Sequence, residues 1–577
     1  MHDRVSTFVT AGALAAAALS VSAALAATPA DTVLMNGAIY TLDQKRPWAE
    51  AVAISAGKIV YVGSSDCARK YTGAATKVID LQGRYAQPGI VDAHVHPIMG
   101  GLKSLYECNF AFTATPDDIA QALETCAKNT PEGTWIRGGQ WGSSFFDQHE
   151  LKSPKGFLDR ISTKHPIYLM DDSGHNGWAN SVALAAAGLT KATPDPEGGT
   201  IVRGPDGEPN GVLLETGARI FDRVLPEWTT EQYVAAARES ARLANGFGIT
   251  GIKDAGLGGT AGIAFGELDR RGELTLNVAV CNSTPYGARS EPLDYAAIEA
   301  SRDQHRTPRV HTDFVKIFLD GVPTPARTAA MISPYVSDET HGANFTGDVH
   351  VAPAVLAKDV IELDKRGFTI KIHAAGDRAI RVALDAIEAA RKANGGSRLH
   401  HELAHAGYID PTDIPRFARL GVVADYSPII WYRSSIIEAV LAAVGEERGE
   451  HYWPTRSLLD SGAMIASGSD WPAAVPDQNP WVGIEALVTR RDPRGGASKP
   501  LWPEQAITLE EALRIYTING ARALKLEQRT GSIEVGKSAD LVVLDRNLFK
   551  VPIEDVGQAQ VQLTLFEGKP VYQSAGQ

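Results

Sequence analysis

The chain has 577 residues, 44% of them hydrophobic and 21% charged, and a formal net charge of −12. This length allows a large buried core, and the composition is that of an ordinary globular protein rather than a disordered one. The acidic balance, without a basic run of five or more residues, argues against a nucleic-acid partner, because such proteins usually cluster Lys and Arg on one face.

The first 26 residues have the pattern of a secretory signal peptide. Arg4 precedes an alanine-rich apolar run that extends from Phe8 and ends in the small-x-small triplet Ala24, Leu25 and Ala26. The pattern predicts cleavage and export, either to the periplasm or out of the cell. The alternative is an uncleaved membrane anchor, because the run approaches the ~18 apolar residues of a membrane helix. No later stretch is apolar enough, so we expect no stable span after cleavage.

The four cysteines, Cys67, Cys108, Cys126 and Cys281, are too few to hold a chain of this size together. An exported protein can pair some of them, and Cys108 and Cys126 are the closest couple in sequence. None has a Cys-x-x-Cys partner, which argues against thiol redox chemistry and against a zinc ribbon.

Both ends of the mature chain have the pattern of short β-strands. Residues 31–86 and 530–577 contain β-branched and aromatic runs that Asn-Gly or Gly interrupts. Two similar ends around a different middle predict one small β-sandwich domain formed from both chain ends.

Residues 87–529 alternate short apolar runs with helical patterns, which is typical of βα units around a parallel sheet. We therefore predict an α/β fold with a (β/α)8 TIM-like barrel here. Residues 110–240 break the alternation, so we predict inserted loops or a subdomain over the barrel mouth. Thr508 and Glu511 have capping-box spacing and predict the start of a helix. The candidate barrel strands lie at residues 85–96, 165–170, 248–255, 276–280, 314–321, 368–376, 403–409, 421–428 and 464–472.

Several of these runs end in ionisable residues, and the spacing of these residues predicts one site. His94 and His96 are two apart on a strand, so both side chains point to the same side. Two packed histidines are the alternative for this pair alone. His405 follows His373 by 32 residues, about one βα unit, and Asp470 follows His405 by 65, about two. Such residues meet at the top rim of a barrel, where they form a donor set that suits zinc or a similar cation.

Lys316 lies at the end of the strand before that of His373. The residue type allows three interpretations: a snorkelling surface group, a partner of a carboxylate, or an amine that captures carbon dioxide and becomes a carbamate. The third requires a deprotonated amine, which burial beside cations favours.

Together these motifs resemble the amidohydrolase superfamily. The pattern PGxxDxHxH at residues 88–96, a lysine on the fourth strand, histidines on the fifth and sixth and an aspartate after the eighth carry the resemblance. The forms VKIFLDG, IHAAGDRA, GSDWP and GHNGWANSVAL are similar to its amidohydrolase-3 branch, which includes N-substituted formamide deformylase-like enzymes. The resemblance covers nearly the whole mature chain.

The resemblance implies a metal centre of one or two divalent cations, with zinc as the expected metal. His94 and His96 would bind the deeper cation, and His373 and His405 the second. Lys316, if carboxylated, would bridge the two.

The resemblance makes Asp470 both a ligand and the general base that activates a water molecule for attack on an amide carbon. His400 and His401 lie close to His405 in sequence, and the register against the following Asp-Pro and Asp-Ile favours His405 as the ligand.

Four residues of the inserted region are candidate substrate contacts. His175, with Asn180, resembles a substrate-contacting element of the branch, and the alternative is a loop histidine that caps backbone groups. Trp141 and Trp178 are expected to line the pocket, and packing is their alternative.

The expected function is therefore that of an exported metal-dependent amidohydrolase that acts on a small molecule at a non-peptide or peptide-like C–N bond. The nearest alternatives are a hydrolytic deaminase or a lactonase with the same water and base, and a non-catalytic binding barrel is a third. The Gly-Ser-Asp at 468–470 does not form the G-x-S-x-G pattern of a serine hydrolase. A homo-oligomer is compatible with the sequence.

Overall fold

The computed structural model describes residues 28–111, 113–142, 145–171, 174–256, 258–338, 340–430, 432–473, 475–495 and 499–575. The predicted signal peptide lies outside these residues. The fold confirms the expected class, an α/β barrel with a β-sandwich formed from both chain ends.

Eight parallel strands form a nearly closed barrel, and they follow one another in the sheet in the order of the sequence. Most of their residues are buried on both faces, as is usual for parallel strands that helices cover outside. Barrel strands 1 to 8 are Ile90–Val95, Ile249–Asp254, Asn277–Ser283, Val310–Phe318, Thr369–Ala374, Glu402–His405, Val423–Tyr426 and Met464–Ser467.

Strands 1 and 8 are joined through the loop that follows strand 8. The Asp470 N–H donates to the His94 carbonyl at 2.8 Å, and the His96 N–H donates to the Trp471 carbonyl at 2.8 Å. The buried carboxylate of Asp92 accepts from the Ser469 hydroxyl at 2.6 Å. This joint fixes the loop that carries Asp470 against the end of strand 1.

Helices cover the outside of the barrel and follow most of its strands. The helix at Leu509–Arg514 has the predicted capping box of Thr508 and Glu511. In the part of the chain that the structure describes, no helix is both long and apolar enough to cross a membrane. The principal helices are Pro97–Tyr106, Thr230–Gly246, Gly258–Arg270, Tyr295–His305, Pro353–Lys365, Asp377–Ala393, Ile414–Leu420, Ser435–Val444, Thr455–Asp460, Pro480–Thr489 and Leu509–Arg514.

The inserted region forms a subdomain with a sheet of its own. The candidate barrel strand at residues 165–170 belongs to this sheet as Ile167–Asp171, so its assignment to the barrel was wrong. Its composition resembles that of a barrel strand because it is also buried. The sheet order is Gly199–Arg203, Pro209–Glu215, Gly177–Ala179, Ile167–Asp171, Ile136–Trp141 and Cys108–Asn109, and shorter helices lie at Pro116–Asn129, Phe145–Gln148, Pro154–Ile161 and Ser181–Ala186.

Two further sheets build the β-sandwich, and one hydrophobic cluster of both sheets fills the space between them. One sheet contains Lys58–Gly63, Ala51–Ser55, Thr32–Met35 and Lys77–Asp80. The other joins strands of both chain ends in the order Lys569–Gln573, Val561–Phe566, Leu541–Leu544, Tyr85–Pro88, Ala38–Tyr40 and Trp48–Ala49. The exact domain limits at residues 87 and 529 stay a prediction.

Candidate metal centre

Six predicted ligands converge at the carboxyl ends of the barrel strands. His94 and His96 come from the end of strand 1, and His405 is the last residue of strand 6. Lys316 and His373 lie near the ends of strands 4 and 5. Because carboxyl ends of parallel strands share one rim, residues that are far apart in sequence meet here.

The Asp470 carboxylate lies among three imidazoles. Its Oδ1 is 3.2 Å from His96 Nε2 and 3.5 Å from His94 Nε2, and its Oδ2 is 3.9 Å from His405 Nδ1. Lys316 Nζ is 3.4 Å from His94 Nε2. One ligand atom each from His94, His405 and Asp470 lies within 4.8 Å of the other two, which is a spacing that one cation can bridge.

His373 lies next to this group. Its ring centroid is 4.3 Å from that of His405. Its Nε2 donates to the Gly321 carbonyl at 2.9 Å, so that nitrogen has a protein partner in this arrangement. A ligand role for His373 therefore involves either Nδ1 or a small rotation of the ring.

Two of these residues have backbone conformations that residues other than glycine rarely adopt. His405 has φ of 70° and Asp470 has φ of 62°. Such conformations cost on the order of 1 kcal/mol each and persist where the surrounding structure imposes them. For Asp470 the hydrogen bonds to strand 1 impose it, and the result is that both side chains turn into the site.

The donor set fits a divalent cation. Burial lowers the pKa of His94, His373 and His405 well below the ordinary histidine value, and the charge of Lys316 lowers all three further. The imidazoles are therefore neutral, which is the form that binds a metal ion. Burial, with the nearby charge of Lys371, lowers the pKa of Lys316 to about 8.

A ladder of buried charges lies below the site, and the sequence analysis did not identify it. Asp425 Oδ2 accepts from His94 Nδ1 at 2.6 Å. Lys371 contacts Asp425, and its Nζ is 2.7 Å from Glu402 Oε2. Lys253 pairs with the same Glu402. Two features of the sequence could have indicated these buried charges. Lys371 is two residues before His373 on the same strand, and Asp425 interrupts the apolar run at 421–428.

The charges of this ladder support one another. Burial alone would lower the pKa of Lys371, but the carboxylates of Asp425 and Glu402 raise it above the ordinary lysine value. Lys371 is therefore a cation. Burial raises the pKa of Asp425 above the ordinary value, and the charge of Lys371 opposes this shift.

A cavity of about 550 Å³ opens above the metal centre. Asp470 and Lys316 are the only acidic and basic side chains among the described residues that line it, apart from histidines. One wall is strongly apolar and comes from the segment after strand 7. This wall, which we call the apolar wall, consists of Ile430, Ile436, Ile437, Val440, Tyr452 and Trp453.

His175 lines the same cavity, as a substrate contact would. Its Nδ1 is 3.0 Å from Glu215 Oε2 and 3.0 Å from the Tyr286 hydroxyl. Burial alone would lower the pKa of His175, but the Glu215 carboxylate raises it above the ordinary value. Sequence patterns do not indicate Glu215 or Tyr286 as partners of His175, because neither is close to His175 in the chain.

The other three candidate substrate contacts do not line the cavity formed by the described residues. Asn180 caps the helix Ser181–Ala186, and its amide donates to the Ser162 and His165 carbonyls. Trp141 and Trp178 pack in an aromatic cluster of the insert, with ring centroids 6.4 Å apart. In the described structure these side chains hold the insert together, and their contact with substrate stays a prediction.

The two histidines before His405 also have other partners. His401 Nε2 lies 2.9 Å from Asp364 at the amino end of the barrel, and the exposed His400 contacts the Gly421 carbonyl. Their positions agree with the choice of His405 as the residue that faces the site.

Comparisons with known proteins agree with this geometry. The sequence model of the Amidohydrolase family matches residues 77–572. Protein LONG AFTER FAR-RED 3 of Arabidopsis thaliana is 31% identical over 553 residues, which cover 94% of this chain and 92% of that protein. N-substituted formamide deformylase of Arthrobacter pascens is 28% identical over 95% of this chain and 99% of its own length. An uncharacterized metal-dependent hydrolase from Pyrococcus horikoshii OT3 shares the fold, with a TM-score of 0.70 and 24% identity over 90% of this chain and 99% of that one.

Proposed function

The chain belongs to the amidohydrolase family, whose members are metal-dependent hydrolases, and from this premise we propose that it cleaves a carbon–nitrogen amide bond with Asp470 as general base. The observation that carries the proposal is the position of the Asp470 carboxylate, between the His94, His96 and His405 imidazoles and open to the cavity.

The metal-binding residues in this proposal are the four histidines, Asp470 and Lys316. Neutral imidazoles and a carboxylate are the donors that zinc prefers, so zinc is the first candidate for one or two bound cations. When bound, such a cation polarises a substrate carbonyl and lowers the pKa of a coordinated water molecule to about 7.

Asp470 moves the proton in this mechanism. Its carboxylate takes a proton from the attacking water as the oxygen adds to the amide carbon. The protonated Asp470 then gives that proton to the leaving nitrogen as the C–N bond breaks. The strained backbone of Asp470 and its hydrogen bond to strand 1 hold the carboxylate in position for both transfers.

Lys316 is proposed to carry a carbamate. A pKa of about 8 leaves a part of the amine deprotonated near neutral pH. The nitrogen lone pair can then form a bond to the carbon of carbon dioxide, with loss of one proton, and the product is an anionic carbamate. Its two oxygens would add acceptors beside His94, whose Nε2 is 3.4 Å from the Lys316 nitrogen.

The cavity favours a neutral substrate with an apolar substituent. A substrate carboxylate would meet no Arg among the described lining residues. Lys316 belongs to the proposed metal centre, and His175 is already paired with Glu215. The apolar wall instead offers contact with an alkyl or aryl group, and a cavity of about 550 Å³ admits a small-molecule substrate. The similarity to an N-substituted formamide deformylase supports the same substrate class.

Export from the cytoplasm is part of the proposal. The signal-peptide pattern of residues 1–26 supports it, as does a disulfide between Cys108 and Cys126 in the insert, because disulfides persist in oxidising compartments.

A substrate panel tests the proposed reaction. The purified zinc-loaded protein is assayed against N-formyl, N-acyl and aminoacyl amides with alkyl and aryl substituents, and against lactones and aminated heterocycles as controls. We expect turnover of neutral apolar amides. Turnover of lactones or ring amines alone would contradict the proposed amide cleavage but would not contradict the proposed metal centre.

A further inference from the structure

We propose that Asp425 is a positioning residue that orients His94 for metal binding and is itself held by the buried charge ladder of Lys371, Glu402 and Lys253. The inference rests on the proposed metal centre. Asp425 lies at the third position of strand 7, and none of the motifs that indicate the ligands includes it.

The first step is the contact with His94. His94 Nδ1 and Asp425 Oδ2 are 2.6 Å apart, and both side chains are almost completely buried. A carboxylate can only accept at this contact, so the proton of the neutral imidazole is on Nδ1 and Nε2 keeps its lone pair. That Nε2 is the atom close to Asp470 and Lys316. Asp425 therefore sets both the tautomer and the direction of the ring.

The second step concerns Asp425 itself. A buried carboxylate without a charged partner would be costly at this depth. Lys371 is that partner, since its ammonium contacts Asp425, donates to the Ala93 carbonyl at 3.1 Å and reaches Glu402 at 2.7 Å. Lys253 pairs with Glu402 on the other side. The ladder thus contains two cations and two carboxylates, and it is balanced in charge.

The third step concerns geometry across the barrel. Lys371 is on strand 5, Glu402 on strand 6 and Asp425 on strand 7, while Lys371 also contacts strand 1 through Ala93. The ladder therefore crosses the interior and ties the strand of His94 to the opposite strands. Carboxylates behind metal-bound histidines raise metal affinity, and their loss typically weakens it about 10- to 100-fold.

The test is zinc affinity of the metal-free protein, measured by competition with a chromophoric chelator, and the absorption spectrum of the cobalt form. We expect Asp425→Asn to raise the zinc Kd about 10- to 100-fold and to alter the cobalt spectrum. The double variant Asp425→Asn with Lys371→Met restores the charge balance and leaves Lys253 paired with Glu402. We expect the same loss of affinity from it, because His94 still lacks its carboxylate.

Asp364→Asn is the matched control. Asp364 also forms a buried contact of 2.9 Å with a histidine, His401, but at the opposite end of the barrel. We expect its zinc Kd and cobalt spectrum to stay within twofold of wild type, or about 0.4 kcal/mol.

The outcomes are distinct. If the double variant is folded by circular dichroism and binds zinc as tightly as wild type, Asp425 is not a positioning residue. If Asp364→Asn weakens zinc binding equally, the effect is a general loss of packing and the inference is also wrong. If the wild-type protein binds no divalent metal, the proposed function itself fails.

Discussion

A short, buried histidine–aspartate contact lies at each end of the barrel. At the carboxyl end His94 and Asp425 are 2.6 Å apart, and at the amino end His401 and Asp364 are 2.9 Å apart. The first pair lies next to the five further predicted ligands, which line the cavity. Arg391 and Asn394 complete the second pair by contacts to Asp364. The same kind of histidine–aspartate contact therefore belongs to the candidate site at the carboxyl end and to the structural core at the amino end.

The difference lies in what surrounds each pair. Around His94 the neighbours are other imidazoles, Lys316 and Asp470, and these side chains line the open cavity, so several donors remain for a ligand. Around Asp364 the side chains of His401, Arg391 and Asn394 all donate to the carboxylate. A pair of titratable side chains therefore indicates function only together with its environment.

The largest effect is expected from Asp470→Asn at the carboxyl end. The amide cannot accept the proton of the attacking water, so kcat should fall about 10³-fold or more, while the melting temperature changes little. Steady-state kinetics on a substrate of the amide panel and a thermal melt measure both. Asp477→Asn is the control in the same loop. A kcat loss of equal size in this control would mean that a change in the loop, and not the loss of the Asp470 carboxylate, causes the effect.

At the amino end, Asp364→Asn should affect stability instead. The substitution removes the negative charge of the buried carboxylate, to which His401, Arg391 and Asn394 donate hydrogen bonds. The free energy of unfolding should therefore fall by about 3 kcal/mol. Urea unfolding measures this change, and kcat/KM at a temperature where the variant is folded should stay within twofold of wild type. A stable variant with strongly reduced turnover would reverse the assigned roles of the two ends.

The pH dependence of stability sharpens the contrast. Burial alone would raise the pKa of Asp364, but the hydrogen bonds from His401 and Asn394 hold it well below the ordinary value. A carboxyl with a lowered folded pKa contributes stability above its unfolded pKa of about 4, and this stability is lost as pH falls below that value. The difference in unfolding free energy between wild type and Asp364→Asn should therefore shrink from pH 6 to pH 3. A constant difference over this range would mean that the charge of Asp364 does not contribute.

The smallest effect is expected on the apolar wall of the cavity. Ile436→Ala removes apolar contact with a substituent, so KM for an amide with a large alkyl or aryl group should rise about tenfold. A small amide such as N-methylformamide does not reach the wall and should show no change. Equal changes for both substrates would place the substituent elsewhere in the cavity.

Sequence patterns could predict the barrel and the convergence of the six predicted ligands because both follow from local rules. The two-residue period places His94 and His96 on one side of a strand, and the βα spacing places His373, His405 and Asp470 at one rim. The strand at residues 165–170 was misassigned because burial gives the same composition in either sheet.

Long-range partners could not be predicted in this way. Asp425 is 331 residues from His94, and Glu215 is 40 from His175, and no periodicity relates such positions. Trp178 and Asn180 are close to His175 in sequence, but the fold turns their side chains into the insert. Strand direction is a local property, whereas side-chain partners depend on the whole chain.

Reconstitution of the metal-free protein with zinc tests the central claim most directly. The protein is treated with a chelator, dialysed and titrated with zinc, while bound metal and hydrolysis of an apolar N-formyl amide are measured in the same samples. The account predicts that activity is absent without metal and rises in proportion to bound zinc, and that Asp470→Asn takes up zinc but stays inactive. Full activity in the metal-free protein would contradict it.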